Sequence, residues 1–325
     1  MKKYILKALL FAIPILVYAL IITIVDPYNF VNLSKVVSDE DKFMVIQRTD
    51  ESSPRGNLLW KTIHFRRKPV QNIIVGDSQG KDIDVEIIRD QTGEDYFNFC
   101  SPGASFTTMF KTFWFAADQV KLKKVYFQVA FMNYNMDRDY DLWHFAEDYI
   151  KRPYEYYTTK EIFTDAVANI AWAATRNPKI IERSYEFLPP AEMENLAQSR
   201  LKLFFSRYTY PTAYKNEFIK ITNYCKANNI EFSFMVLPVY KGVDEYLAKH
   251  NLFDDKVKFK SDINSLANVY DLDKLAGIKN YRYNFIDYFH PTQKVMDSLT
   301  RLVWTSAPAN IENAITQTSA NPVQD

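Results

Sequence analysis

Four short runs of apolar, β-favouring residues, spaced by helical stretches, restrict this 325-residue chain to few folds. The runs are Asn72-Ile73-Ile74-Val75, Tyr96-Phe97-Asn98-Phe99, Val125-Tyr126-Phe127-Gln128-Val129-Ala130-Phe131 and Glu231-Phe232-Ser233-Phe234-Met235-Val236-Leu237. Helical patterning falls at 84–89, 106–120 and 216–228. Strands that are apolar along most of their length are buried on both faces, and strands that alternate with helices are joined by parallel crossovers. The pattern therefore predicts an α/β fold whose parallel sheet is covered on both sides. A fifth strand is expected around 283–286 and a last helix over 292–305, completing a flavodoxin-like three-layer sandwich with five strands. Right-handed crossovers and a switch point between the first and third strands give the order 2-1-3-4-5.

The first thirty residues belong to another kind of structure. Lys2, Lys3 and Lys7 precede an uncharged run, 8–25, which as a helix reaches about 27 Å and nearly spans a hydrocarbon core. Val17-Tyr18-Ala19 offers a small-residue cleavage site, but the apolar run continues beyond it to Val25, which favours an uncleaved anchor over a removable leader. Lysines before the run and Asp26-Pro27 after it place the N-terminus in the cytoplasm and the rest of the chain outside, under the positive-inside rule. The expected protein is single-pass in the cell membrane, with its α/β domain extracytoplasmic. Residues 31–70 read as a juxtamembrane connector with little core and 71–305 as the α/β domain. Within that domain 135–214 form a helical insertion, patterned at 160–176 and 190–207, and 306–325 form a mobile tail.

Composition excludes more than it assigns. With 40 Lys+Arg against 39 Asp+Glu and 47% apolar residues, the chain is neither disordered nor a bulk nucleic-acid binder. Its 7 glycines leave no room for G-x-G-x-x-G or a Walker loop, so no nucleotide cofactor is expected. Neither a C-x-x-C nor an H-E-x-x-H spacing occurs, and no metal is expected. Cys100 closes a predicted strand and Cys225 lies in a predicted helix, so they read as two separate buried thiols.

Two motifs carry chemistry. The first strand runs into Gly76-Asp77-Ser78-Gln79-Gly80, placing a serine at the carboxyl end of a parallel strand, where open α/β sheets bind ligands. Glycines on either side would let backbone N–H groups approach a substrate; a turn serine bonded to local backbone is the plainer alternative. The pentapeptide also fits the G-x-S-x-G elbow of α/β-hydrolases, but that elbow follows several earlier strands and this one ends the first. The second motif is Asp287-Tyr288-Phe289-His290-Pro291-Thr292. Pro291 suits a first helical position, which puts His290 just ahead of the last helix with Asp287 three residues upstream. At that spacing a carboxylate can hold the imidazole Nδ1–H and leave Nε2 to take a proton from a serine. Alone, the block is equally a helix-capping histidine.

Together the two blocks resemble the SGNH/GDSL hydrolase superfamily, over residues 72–134 and 216–305. The resemblance implies Ser78 as nucleophile, His290 as base and Asp287 as its orienting partner. From the family's middle blocks it implies an oxyanion hole of the Ser78 N–H, Gly103 and the Asn133 side chain. Gly103 lies in Asn98-Phe99-Cys100-Ser101-Pro102-Gly103-Ala104-Ser105 and Asn133 in Phe131-Met132-Asn133-Tyr134. The third block departs from the family's Gly-x-Asn-Asp, so Asn135 competes with Asn133. The anchor and long insertion are most similar to SGNH-like proteins that O-acetylate exported polysaccharides beside a multi-spanning membrane acyltransferase. The implied activity is that of an extracytoplasmic O-acyltransferase or esterase on a surface polysaccharide, without cofactor or nucleic-acid partner. A catalytically inactive scaffold or glycan-binding subunit of the same fold is the alternative. Tyr140, Trp143, Tyr149, Tyr154, Tyr156 and Tyr157 of the insertion offer rings for stacking on sugars, Tyr140 and Trp143 foremost. Aromatics are 16% of the chain, so a packing role is the plainer account of any one of them.

Overall fold

A computed structural model describes residues 2–50, 52–181 and 190–305; the tail expected at 306–325 lies outside the described residues. The chain opens with α1 (Lys2–Val25), α2 (Asp39–Ile46) and α3 (Ser52–Arg67). It continues through β1 (Asn72–Val75), α4 (Val85–Thr92), β2 (Tyr96–Asn98), α5 (Phe106–Gln119) and β3 (Lys124–Gln128). Next come α6 (His144–Lys151), α7 (Glu155–Thr158), α8 (Lys160–Thr175), α9 (Pro190–Phe205) and α10 (Thr212–Ala227). The last elements are β4 (Glu231–Val236), α11 (Lys241–Lys249), α12 (Phe253–Asn264), β5 (Asn268–Asp271), α13 (Ala276–Lys279) and α14 (Gln293–Thr305). They form two compact units, Met1–Arg67 with Leu142–Phe187 and Lys68–Asp141 with Leu188–Asp325.

The first unit is helical. α2 packs on α3 and α8, α1 on α8, and α3 on α6. Its interior is built around two carboxylates. Asp165 accepts hydrogen bonds from Tyr28 Oη (2.6 Å), Arg48 Nη1 (2.7 Å) and Arg55 Nη2 (2.9 Å). Asp26 accepts from the backbone N–H groups of Phe30, Val31 and Asn32 and from Tyr156 Oη. Residues 31–70 are thus no coreless connector. Val45, Ile46, Leu58, Leu59, Ile63 and Phe65 are buried, and Arg48 and Arg55 are partners of a buried carboxylate. The insertion expected as a single cap is likewise divided: Leu142–Phe187 joins the N-terminal helices, while α9 belongs to the unit that holds the sheet.

Among the described residues no helix is long and apolar enough to cross a membrane.

The second unit holds a five-stranded, all-parallel sheet in the order β2-β1-β3-β4-β5. Alternation along each strand sends side chains to both faces. Ile74, Tyr126, Met235 and Tyr270 share one core with Ile88 of α4 and Met296, Leu299 and Val303 of α14. On the other face Phe127 and Phe234 meet Phe110 of α5 and Phe218 of α10, with ring centroids 4.9–6.0 Å apart in the Phe110–Phe127, Phe127–Phe218 and Phe218–Phe234 pairs. Helix ends follow local chemistry. Asp84 caps α4 through the Glu86 N–H, and Gly93 closes it at φ +72°.

The fifth strand is not at 283–286. It is Asn268–Asp271, paired with Ser233–Val236 of β4. The strand begins and ends in polar residues, which hides it from a search for apolar runs. Arg282–Asn284 instead makes a 3₁₀ turn, and Phe285 pairs antiparallel with Pro291 in an isolated bridge. Pro291 therefore sits in a hairpin ahead of α14 rather than opening it.

Candidate active site

Three loops at the carboxyl edge of the sheet, following β1, β2 and β3, carry Ser78, Gly103 and Asn133. β1 lies between β2 and β3, so this is the switch point where crossovers leave in opposite directions and open a crevice. The glycines flanking Ser78 are required by packing. A Cβ on Gly76 would stand 2.4 Å from Gln128 Oε1 and 2.8 Å from Cys100 Sγ, and one on Gly80 would stand 2.6 Å from the same sulfur. Cys100, fully buried, fills the space behind the turn. Both cysteines are unbridged and buried, and burial pushes the Cys225 thiol up to about 12.

His290 arrives from the hairpin ahead of α14. Its Nε2 lies 2.8 Å from Ser78 Oγ, and its Nδ1 lies 2.9 Å from both oxygens of Asp287. The network assigns the tautomer: a hydrogen on Nδ1 faces the carboxylate, and the Nε2 lone pair faces the serine hydroxyl. Asp287 Oδ1 also accepts the N–H groups of Phe289 and His290, both at 2.8 Å, and Oδ2 accepts from Arg200 Nη1 on α9. Burial opposes ionisation of Asp287. The His290 charge and hydrogen bond, with Arg200 and the Phe289 N–H, outweigh burial and hold the carboxyl well below its usual range.

Of the two asparagines, Asn135 is committed to the fold. Its Nδ2 donates to the carbonyls of Phe204 and Arg207, and its Oδ1 accepts the N–H groups of Asp137 and Thr209. Asn133 Nδ2 donates to Asp77 Oδ2 at 2.6 Å, which uses one amide hydrogen and leaves the second for a ligand. Gly103 adopts φ +70°, a conformation that suits glycine, and its carbonyl accepts from Tyr140 Oη. Tyr140 is 43% exposed, so part of its surface is open. Trp143, 6% exposed, falls in the helical unit with Tyr149 and Tyr156, which are also buried; Tyr154 in that unit is exposed.

Several residues that shape the site escape sequence reasoning. Asp77 is fully buried, and that burial pushes its carboxyl up against the opposing effects of the Gln79 N–H, His290, Asn133 and Gln128. Gln128 Oε1 accepts the Asp77 N–H (2.8 Å), Gln128 Nε2 donates to Gln79 Oε1 (3.2 Å), and Gln79 Nε2 donates to the Phe289 carbonyl (2.7 Å). This amide chain ties the serine turn to the histidine loop. Its one signal in the sequence is Gln128, a polar residue inside an otherwise apolar strand, which implies an internal partner. Arg200 gives no signal at all. Among the described residues no group of three or more His, Cys, Asp or Glu side chains could hold a metal ion. No protein-family model matches the chain, and no curated protein matches it.

Proposed function

We propose that the chain is a serine-dependent acyl-transfer enzyme of SGNH type, acting on O-acyl groups of an exported or cell-surface polysaccharide. The observation that carries this reading is the unbroken hydrogen-bonded line from Ser78 Oγ through His290 to Asp287. In the first step Ser78 Oγ bonds to the acyl carbonyl carbon while its proton passes to His290 Nε2, and Asp287, still ionised, faces the imidazolium. The carbonyl oxygen gains the charge and is met by the second Asn133 amide hydrogen and the N–H groups of Ser78 and Gly103, each such donor being worth about 2.7–4 kcal/mol. Collapse breaks the ester C–O bond, and the leaving alcohol takes the proton from Nε2. A second hydroxyl then attacks acyl-Ser78, giving its proton to Nε2, from which it returns to Ser78 Oγ as the acyl group departs.

Water as second nucleophile makes an esterase; a sugar hydroxyl makes a transferase. We favour transfer, with a multi-spanning membrane acyltransferase supplying the acyl group. A sugar outcompetes bulk water only when binding holds it in place, where effective molarities reach about 10⁵–10⁸ M. Tyr140, open on one side and tied to the Gly103 carbonyl, is the aromatic that supports such a platform beside the oxyanion donors.

The reading includes attachment to a membrane through α1, with the N-terminus cytoplasmic and the sheet on the outer side. Its support is a 24-residue helix whose apolar side chains stand open, Phe11 at 81% and Ile15, Leu16 and Leu20 also exposed. An apolar surface of that extent marks a lipid or partner contact. Removing residues 2–17, ahead of the Tyr18 ring that stacks on Phe163 at 4.6 Å, is expected to move the protein from the carbonate-resistant membrane fraction to the supernatant. Recovery of both forms in the supernatant would rule out the anchor.

Purified full-length protein in detergent is expected to be labelled by a fluorophosphonate, and Ser78→Ala is expected not to be. A wild type that stays unlabelled supports the inactive scaffold. A variant labelled as fast as wild type places the reactive group elsewhere.

A further inference from the structure

We propose that Arg200 is a positioning residue of the triad, holding the Asp287 carboxylate square to the His290 Nδ1–H from a helix that lies outside the sheet core. The proposal rests on the acyl-serine reading above. It starts from an asymmetry in how Asp287 is held. Oδ1 is fixed by two backbone N–H groups within its own loop. Oδ2, which also faces Nδ1, has Arg200 as its partner from outside that loop. A carboxylate tied at one oxygen turns about its Cβ–Cγ bond, and a guanidinium on the other oxygen stops that rotation with a charge-assisted bond. The same contact sets a guanidinium, in addition to His290, against a carboxylate of 2% side-chain exposure.

Arg200 does not act from a loose position. α9 touches each of three consecutive residues of the catalytic loop. Tyr288 Oη donates to Glu194 and accepts from Gln198 Nε2 at 2.9 Å. Phe204 meets Phe289 edge to face at 5.0 Å. Glu194 and Gln198 share one stripe of the helix and Arg200 and Phe204 another, each pair four residues apart, so two flanks of α9 bear on the loop. Asn135 anchors the end of that helix by donating to the Phe204 carbonyl. The helix therefore sets the distance between Asp287 and the sheet-borne Ser78, and Arg200 transmits it.

The test uses full-length protein in detergent, p-nitrophenyl acetate as substrate and the fluorophosphonate as active-site probe. Arg200→Met is expected to lower kcat and the labelling rate by about 10²-fold, the loss typical of a small misplacement of a reacting group. KM for this small ester should stay within about twofold, because the bond removed is to Asp287 and not to a group that would hold the ester. Arg200→Lys, which restores charge with a single-point donor, should recover at least about tenfold of the loss. If Arg200→Met fails to fold, Arg200→Gln carries the same expectation without the charge. The proposal is overturned by a folded Met or Gln variant with wild-type kcat, or by Lys rescuing nothing while stability falls in parallel with rate. Ser78→Ala separates the two levels: loss of activity there with an unaffected Arg200→Met sinks the positioning role alone, whereas retained activity in Ser78→Ala sinks the acyl-serine reading beneath it.

Discussion

Ser78→Ala is expected to lower the turnover of a small activated ester by about 10⁶-fold, His290→Ala by a similar factor, and the double variant by no more than either alone. The reason is geometric. Ser78 Oγ and His290 Nε2 share one proton across 2.8 Å, so deleting the oxygen leaves the base nothing to deprotonate, and deleting the base leaves a neutral alcohol. Either change removes the whole step, and the second has nothing further to remove. Asp287→Asn should cost less, about 10⁴-fold, since it leaves both reacting atoms present but turns the wrong hydrogen-bonding group to Nδ1. Steady-state kinetics on the four variants checks the set. Losses that multiply in the double variant would mean that the two side chains act separately, and the triad would have to be abandoned.

Asp273→Asn is expected to cost about 3 kcal/mol of stability, at the low end of the range for removing one partner of a buried ion pair. Asp273 is buried beyond β5, within reach of Lys256 (2.6 Å), Lys260 (2.9 Å) and Lys279 (2.9 Å). Asp244 meets Lys256 and Lys279, and Asp271 meets Lys260. Three carboxylates and three ammonium groups thus join α11, α12 and α13 to the last strand. Each lysine keeps one partner when Asp273 is neutralised, which places the loss at the low end. Burial disfavours the Asp273 charge, yet the three lysines outweigh it and hold the carboxyl far below its usual range. A carboxyl depressed in the folded state contributes stability that is fully present above the unfolded value of about 3.9 and is lost as pH falls through the folded one. Wild type should therefore lose stability progressively below about pH 4, and Asp273→Asn should lose less over that interval. Asp287, also depressed, adds to the wild-type slope; Asp77, raised by burial, opposes it. Urea midpoints from pH 7 to pH 3 test the sign, and identical slopes in the two proteins would refute it.

The parts of this molecule that were legible in the sequence are those fixed by local chemistry. β1 to β4 and α4, α5, α8, α9, α10 and α14 fall close to where apolar runs, caps and periodicity put them. The strand order follows from the handedness of crossovers, which holds for any parallel sheet. Ser78, His290 and Asp287 were visible because glycines mark the strand end at 76–80 and Asp287 and His290 lie three residues apart in one short block. What stayed hidden depends on partners far along the chain. β5 is recognised by the edge of β4, not by its own four residues. Arg55 has its carboxylate partner, Asp165, 110 positions further along the chain. Gly76 and Gly80 pointed to the turn, and the structure adds a need that the sequence hides, room for Gln128 and Cys100. Arg200 looks like any other charged residue on an amphipathic helix.

Ser78 and His290 stand 212 positions apart, one at the end of the first strand and the other just before the last helix. During synthesis the serine turn, the second strand and the Asn133 loop all emerge long before any group able to take a proton from Ser78. On the reading proposed above, a chain halted anywhere ahead of residue 290 carries Ser78 without its base, whatever part of the sheet it has assembled. On the acyl-serine reading proposed above, the order of residues along the chain would thereby hold back acylation of Ser78 until the last part of the domain has been made.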